Sequence, residues 1–458
     1  MPNFDAIIIG TGQSGPALAR RLVAAGRKVA IIERKFFGGT CVNTGCTPTK
    51  TLIASAHAAH VARRAADYGV RVEGSVNVDM KAVKARKDAV VAAFRDGDER
   101  SLKTLQGCTV YQGHARFVAE KKVAVNDSEL AADHIFLNVG ARAAIPPIPG
   151  LDQVPYLTNS SMMDIDFLPT HLVILGGSYV GLEFAQMYRR FGSEVTVIEL
   201  GPRLISREDP DVSQAVADFL NDEGINVRVD SKVIGAQKQG NSIAVKVESA
   251  GEISQVAGTH MLVATGRRPN TDDLGLDRAG IVTDSRGYIQ VDDQLHTNVS
   301  GVWAMGDCNG RGAFTHTSWN DFEIVAANLL DNDQRRVSDR ITAYALYTDP
   351  PLGHAGMTEA EVRKTGKPAL ISRLAMEDVS RAYEKGETKG FMKILVDRDS
   401  KQILGASFLG LAGDEVIHCV LDVMYAKAPY TVMQRAMHIH PTVSEFIPTM
   451  MDDLKPLQ

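Results

Sequence analysis

Two cysteines, Cys41 and Cys46, lie five positions apart in the segment Gly38-Gly-Thr-Cys-Val-Asn-Thr-Gly-Cys-Thr-Pro-Thr-Lys50. Four intervening residues let the pair close a small disulfide loop, and the pair is expected to precede a helix with Pro48 in its first turn. A thiolate near a helix N-terminus is stabilised by the helix dipole, so the spacing points to thiol–disulfide chemistry. Zinc is the competing use of paired cysteines. A closed zinc site wants four ligands, and Cys108, Cys308 and Cys419 are scattered singly, so no metal site is expected. Those three read as structural cysteines. Five cysteines at irregular spacing are not a secreted disulfide framework, which argues for a reducing, cytoplasmic compartment.

The elements that must position this pair begin with a glycine loop. An apolar run, Asp5 to Ile9, ends in Gly10-Thr-Gly12-Gln-Ser-Gly15, a helical pattern follows from Ser14 to Ala25, and a second apolar run, Val29 to Ile32, ends at Glu33. Strand, glycine loop, helix and acidic strand end form a dinucleotide-binding fingerprint. Gly10 permits the tight turn, Gly12 lets backbone approach a pyrophosphate, Gly15 allows close helix packing and Glu33 accepts from a ribose hydroxyl. The same unit recurs as Leu172 to Leu175, Gly176-Gly177-Ser178-Tyr179-Val180-Gly181, a helix from Tyr179 to Phe191, a strand from Glu194 to Ile198, and Glu199. Gly10 to Gly176 and Glu33 to Glu199 are both offsets of 166 residues. Two such units imply two nucleotides. Ser178 stands where the second fingerprint glycine is usual, and its Cβ would hold a pyrophosphate slightly farther out. Glu199 favours NADH, because a carboxylate repels the 2′-phosphate of NADPH, while Arg203 and Arg207 nearby would suit NADPH.

Between the units, residues from Thr51 to Ala66 and from Met80 to Leu105 read as helices packed against the first sheet. Pro146, Pro147, Pro149 and Gly150 mark a linker. After Gly266 the βαβ rhythm gives way to a strand-like Gly301 to Ala304 and a helix near Asp321 to Leu330. From Arg340 onward, a strand at Met392 to Val396 and helices at Asp414 to Tyr425 and Val432 to Met437 suggest a separate α+β unit. The expected division is 1–145, 146–265, 266–338 and 339–458. A chain of 458 residues with net charge −5 and 23% charged residues is of ordinary composition, and it lacks the basic clusters of a nucleic-acid binder. No apolar stretch is long enough to span a membrane, and the first ten residues lack a secretory pattern.

Together with Ala264-Thr-Gly-Arg-Arg-Pro-Asn270, Ala304-Met-Gly-Asp307, Tyr347-Thr-Asp349 and His438-Ile-His-Pro-Thr-Val-Ser-Glu445, these motifs resemble the class I pyridine nucleotide-disulfide oxidoreductases over nearly the whole chain. Dihydrolipoamide dehydrogenase, glutathione reductase and mercuric reductase are members. The resemblance implies an α/β fold, with two Rossmann-like nucleotide-binding domains plus a C-terminal α+β dimerisation domain. It implies FAD on Gly10, Gly12, Gly15, Glu33, Gly39, Thr40, Lys50, Ala115, Gly140, Gly306, Asp307 and Thr315. It implies NAD(P)H on Gly176, Gly177, Ser178, Tyr179, Gly181, Glu199 and Gly266, with Tyr179 covering the nicotinamide pocket until the cofactor arrives. Cys46 would be the thiol facing the flavin and Cys41 the thiol exchanging with substrate, with Lys50 and Glu183 paired beside flavin and nicotinamide. His440 and Glu445 would form an acid–base dyad supplied by the other subunit of a homodimer. A histidine oriented by a carboxylate can take and return the proton that disulfide exchange requires.

The implied activity moves electrons between NAD(P)H, flavin, the cysteine pair and an external disulfide or dithiol, most like dihydrolipoamide dehydrogenase, with a small disulfide or a lipoyl-bearing protein as substrate. Two rivals stand beside it. One is reduction of Hg(II), Cu(II) or quinones by the same centre. The segment around Thr44 and Thr47 looks mercuric-reductase-like, but the chain ends without a C-terminal cysteine pair and keeps His440. The other is a flavin-binding module without turnover, which would have no chemical need for the whole set of reactive residues. Asn138-Val-Gly140 replaces the Ala-Thr-Gly common in relatives and is expected not to touch the chemistry.

Overall fold

The computed structural model describes residues 3–457. The two apolar runs of the first unit form strands Asn3–Ile9 and Val29–Glu33, and Ile7, Ile8, Ala30 and Ile31 are fully buried. Strands covered on both faces pair in parallel, as these do. Ser128–Leu137 lies on the other side of Asn3–Ile9, also parallel, and Cys108–Gln112 extends the opposite edge. Val302–Ala304 returns from much later in the chain to pair with the C-terminal half of Ser128–Leu137, whose N-terminal half pairs with Lys122–Val125. Helices Ser14–Ala24 and Thr315–Leu330 pack together on this sheet.

The second unit is a four-stranded parallel sheet, ordered Asn226–Arg228, Glu194–Ile198, His171–Leu175, His260–Val263. A three-stranded antiparallel sheet, from Lys232 to Gly258, covers one face through Ile243, Val245 and Val247. Helices Tyr179–Phe191 and Pro210–Asp222 cover the other. The crossings into and out of this unit, Ala141–Ala143 and Arg267–Pro269, pair antiparallel. The last unit is a six-stranded sheet whose four long inner strands are antiparallel, backed by helix Gly413–Tyr425.

Three expectations are corrected. The first intervening helix runs Cys46–Arg63, so it starts at the second cysteine. It does not pack on the first sheet. Leu52 and Ala56 join the core around Leu172, Ile174 and Leu182, because its small residues let it lie against Tyr179–Phe191. The long helix Met80–Lys103 spans both cores, with Met80 in the second and Leu102 in the first. Of the helix expected from Val432 to Met437, only the start forms, as Thr431–Gln434. Met437 is 98% exposed, so no buried apolar face extends the helix to it.

Candidate active site

Two helices meet at the cysteines. Cys41 sits inside the short helix Gly39–Thr44 and Cys46 is the first residue of Cys46–Arg63, so the pair straddles a break instead of preceding one helix. Gly45 makes the break, since a Cβ there would lie 2.9 Å from the Thr40 carbonyl oxygen. The two thiols are not joined by a disulfide in this structure, and Cys41 is half-buried while Cys46 is exposed. The Cys41 and Cys46 thiols interact directly, and the Thr315 hydroxyl lies 3.1 Å from Cys46 Sγ. The bond from Cys41, with smaller help from Thr315 and the Lys50 charge, outweighs burial and lowers the Cys46 pKa to about 6. The same bond, with burial, pushes the Cys41 thiol far above its ordinary range. One thiolate and one proton are thus shared asymmetrically, with the charge on Cys46.

One turn along the same helix, Lys50 Nζ lies 2.6 Å from Glu183 Oε2 and 4.3 Å from the centre of the Tyr347 ring. The Tyr347 amide donates to Glu183 Oε1 at 3.1 Å. The cysteine helix, the second-unit helix and the start of the C-terminal unit therefore converge on one ion pair. A carboxylate and an aromatic face hold the Lys50 side chain in place one turn from Cys46.

The first glycine loop is packed to contact. Gly10 has φ +105, and a Cβ there would lie 2.2 Å from the Asn138 carbonyl oxygen, while one on Gly39 would lie 2.9 Å from Gly12 Cα. Glu33 accepts from the Thr11 amide at 3.0 Å, the Thr11 hydroxyl at 2.6 Å and the Lys35 amide at 2.8 Å. Asn138, the departure expected not to touch the chemistry, borders this loop and not the cysteines. Its Oδ1 accepts from the Ser14 hydroxyl at 3.0 Å, and its carbonyl and amide wall Gly10, Gly12 and Gly15. The only signal was an amide where relatives carry alanine. Gly306 closes the same place against Ser318 and Asn138, its amide donating to Asp321 at 2.7 Å. Asp307 pairs with Arg267 at 3.2 Å, its carboxyl pushed up by burial.

Buried Asn138 Nδ2 and Arg267 Nε have no protein partner. A buried donor without an acceptor costs about 1–3 kcal/mol, so these atoms suit the acceptor-rich phosphates and ring carbonyls of a flavin nucleotide. Past Glu33, a groove of about 390 Å³ is lined by Arg34, Lys35, His114, Arg142, Asp272 and Asp273. Ala115, beside His114, has its side chain in the core, which leaves only its backbone for a ligand. Thr40 and Thr315 flank the cysteines, whereas Gly140 and Gly266 lie at the paired crossing strands. The residues present fit FAD.

In the second loop, a Cβ on Gly176, at φ +111, would lie 2.5 Å from the Ala264 carbonyl oxygen, and one on Gly181 would lie 2.0 Å from that of Gly176. Ser178 is the exposed N-cap of the helix and leaves its N-terminus open to an anion. Glu199 accepts from the Gly177 amide at 2.6 Å and the Gly201 amide at 2.7 Å, leaving lone pairs for a ribose hydroxyl. Tyr179 lies edge-on to Phe314 and Tyr344, with ring centres 6.2 and 5.6 Å away.

His440 Nδ1 lies 2.9 Å from Glu445 Oε2, and the imidazole is 74% exposed. Among the described residues, no hydrogen bond or ion pair joins this dyad to the cysteines of its own chain. His438 touches only a backbone carbonyl, that of Ala436. Cys308 is fully buried, its thiol pushed up to about 12 by burial, and Cys108 is raised to about 11 for the same reason. No cluster of candidate metal ligands occurs among the described residues, and no described helix is long and apolar enough to cross a membrane.

The family model described as pyridine nucleotide-disulphide oxidoreductase matches residues 4–321, and that of its dimerisation domain matches residues 342–451. The chain is 36% identical to the probable pyridine nucleotide-disulfide oxidoreductase RclA of Escherichia coli (strain K12), covering 97% of this chain and 98% of that one. It is 34% identical to a mercuric reductase of Streptomyces lividans (96% and 94%) and 30% identical to a dihydrolipoyl dehydrogenase of Chlamydia muridarum (96% and 95%). Among solved structures, the Cu(II) complex of the HOCl-induced flavoprotein disulfide reductase RclA from Escherichia coli matches with a TM-score of 0.90 and 34% identity, covering 99% of each chain.

Proposed function

The chain belongs to the pyridine nucleotide-disulphide oxidoreductases, and from that premise we propose that it reduces an external disulfide, or oxidises the corresponding dithiol, through Cys41 and Cys46. The family is one of FAD-dependent, NAD(P)H-linked enzymes acting on sulfur groups. Bound FAD supplies the two-electron relay between the reduced nucleotide and the cysteine pair.

The observation that carries the proposal is the placement of Cys46 at the start of a helix, 3.1 Å from the Thr315 hydroxyl and one turn from the Lys50–Glu183 pair, with Cys41 beside it. Cys46 holds the negative charge. Cys41 must lose its proton before it can attack, and His440 of the partner subunit, oriented by a carboxylate, is the base we assign to it. The Cys41 thiolate then attacks one sulfur of the external disulfide, forming a mixed disulfide and expelling a thiolate that takes the proton back from the imidazole. Cys46 next attacks the Cys41 sulfur, restoring the Cys41–Cys46 disulfide and releasing the second thiolate. Two electrons leave the pair, and the products are one thiol and one thiolate, the latter taking its proton from solvent. Cys46→Ser should abolish this turnover while FAD stays bound, and unchanged disulfide reduction by that variant would refute the assignment.

The finer parts of the reading rest on particular residues. NADH is assigned over NADPH because Glu199 ends the second strand, while Arg203 is engaged with the carbonyls of Ser206 and Glu208. A cytoplasmic compartment is assigned from the five cysteines at irregular spacing, and a homodimer from the dimerisation-domain match and from the lack, among the described residues, of any bond between the dyad and the cysteines of its own chain. The division at about 145, 265 and 338 assigns FAD to the first and third segments, the nicotinamide nucleotide to the second and the subunit interface to the last.

A second reading is reduction of Cu(II), favoured by the likeness to a reductase solved as a Cu(II) complex. Turnover of the holoenzyme with lipoamide, glutathione disulfide and Cu(II), each in wild type and His440→Gln, separates the two. Disulfide reduction needs the proton shuttle and should fall steeply, whereas transfer to a metal ion releases no thiol and should depend on it less.

A further inference from the structure

The C-terminal sheet carries a polar row on one face. Cross-strand pairing sets Tyr344 opposite His354, His354 opposite Ser407, and Ser407 opposite Lys393. His354 and Lys393 are each 1% exposed, so the face is turned into protein. It meets the consecutive acids Glu208 and Asp209, which lead into helix Pro210–Asp222. Asp209 is fully employed, accepting from Lys393 at 2.9 Å and from the amides of Glu359 and Ala360.

Glu208 is different. Its side chain is completely buried, Oε1 accepts from the Tyr179 hydroxyl at 3.2 Å, and Oε2 makes no hydrogen bond but lies 3.5 Å from His354 Nδ1. His354 Nδ1 is also 3.0 Å from the Ser407 hydroxyl, and its Nε2 donates to the Gly356 carbonyl. Tyr344 stacks on His354 with ring centres 4.7 Å apart and meets Tyr179 edge-on. A buried carboxylate is costly unless it serves as an acceptor for something held in place. The thiol chemistry makes no use of Glu208. Its hydrogen-bonded partner belongs to the side chain at the mouth of the second glycine loop, and burial keeps that phenol protonated and able to donate.

We infer that Glu208 is a positioning residue that latches Tyr179 over the nicotinamide pocket, with His354 behind it as support, and so sets the cost of admitting the nicotinamide ring. This rests on the reading of Tyr179 as the cover of that pocket. Displacing the ring breaks a charge-assisted hydrogen bond and leaves the carboxylate with Tyr344 and His354. Such a bond can weaken nicotinamide binding by roughly tenfold. The adenosine and ribose parts of the nucleotide do not require Tyr179 to move.

Calorimetric titration of the oxidised holoenzyme with NAD+ and, separately, with ADP-ribose tests the latch. Tyr179→Phe keeps the ring and removes the donor, so it should tighten NAD+ by about five- to tenfold and leave ADP-ribose unchanged. Glu208→Gln, a neutral and weaker acceptor, should tighten NAD+ less, and the double variant should gain nothing beyond Tyr179→Phe, because both remove one bond. FAD content reports whether each variant folds, and Tyr179→Phe carries the test alone if Glu208→Gln does not. NAD+ and ADP-ribose affinities that move together, or NAD+ affinity unmoved by Tyr179→Phe, would overturn the latch. Tyr179→Ala separates the two layers. If it leaves NAD+ affinity untouched, the cover reading itself fails; if it changes that affinity while Tyr179→Phe does not, the cover stands and the latch falls.

Discussion

At the scale of single residues, the account turns on where one proton sits. Cys46 is an acid whose pKa is lowered to about 6, so its thiolate should persist at neutral pH and be lost as pH falls through that value. Thiolate absorbance of the reduced protein, followed against pH, should therefore show a midpoint near 6 that vanishes in Cys46→Ser. Cys41→Ala removes the largest stabilising contact and should raise that midpoint by at least about one unit, whereas Cys41→Ser retains a donor and should raise it less. Lys50→Met should raise it by a smaller amount, since the Lys50 charge ranks below the Cys41 and Thr315 contacts. A midpoint insensitive to Cys41→Ala would mean that the thiol hydrogen bond is not what holds the charge.

At the scale of elements, close approach and buried charge decide which substitutions the chain tolerates. Gly10→Ala forces a left-handed residue and a Cβ into the Asn138 carbonyl, so the strand-to-helix turn must open. It should cost about 1–3 kcal/mol and lower FAD occupancy, read from the flavin absorbance of the purified protein. Lys393→Met leaves buried Asp209 facing Asp211 without a cation. It should cost about 3–5 kcal/mol and lower the thermal midpoint by several degrees, and Asp209→Asn in the same chain should recover part of the loss. Both βαβ units were legible in the sequence because a buried parallel strand is a continuous apolar run and each glycine loop punctuates it. Glu33 and Glu199 could be placed by spacing alone. The start of the cysteine helix could not, since Gly45 resembles any loop glycine until the Thr40 carbonyl is seen beside it. Glu208 and His354 were invisible for a related reason: each is singled out by partners more than a hundred residues away or across a sheet, and no local period encodes them. The destination of the cysteine helix was misread because an alanine-rich face says that another surface comes close, not which one.

At the scale of the whole molecule, the proposed function has His440 and Glu445 of one chain serve the thiols of the other, so that a complete site would require two copies of the chain. Cys46→Ser and His440→Gln subunits, each inactive alone, should therefore complement when co-expressed. One of the two sites in every mixed dimer would pair an intact cysteine pair with an intact histidine, giving about a quarter of wild-type activity for random assembly. Absence of recovery in a preparation shown to contain mixed dimers would place the dyad's work within its own chain. The central claim, however, is that Cys41 and Cys46 stand between the nucleotide and the substrate. An anaerobic titration of the holoenzyme with NADH, following the flavin spectrum while counting alkylatable thiols, tests it most directly. The account predicts that Cys41 and Cys46 become alkylatable and a long-wavelength thiolate-to-flavin absorbance grows in before the flavin band bleaches. Direct bleaching with the disulfide still closed would contradict it.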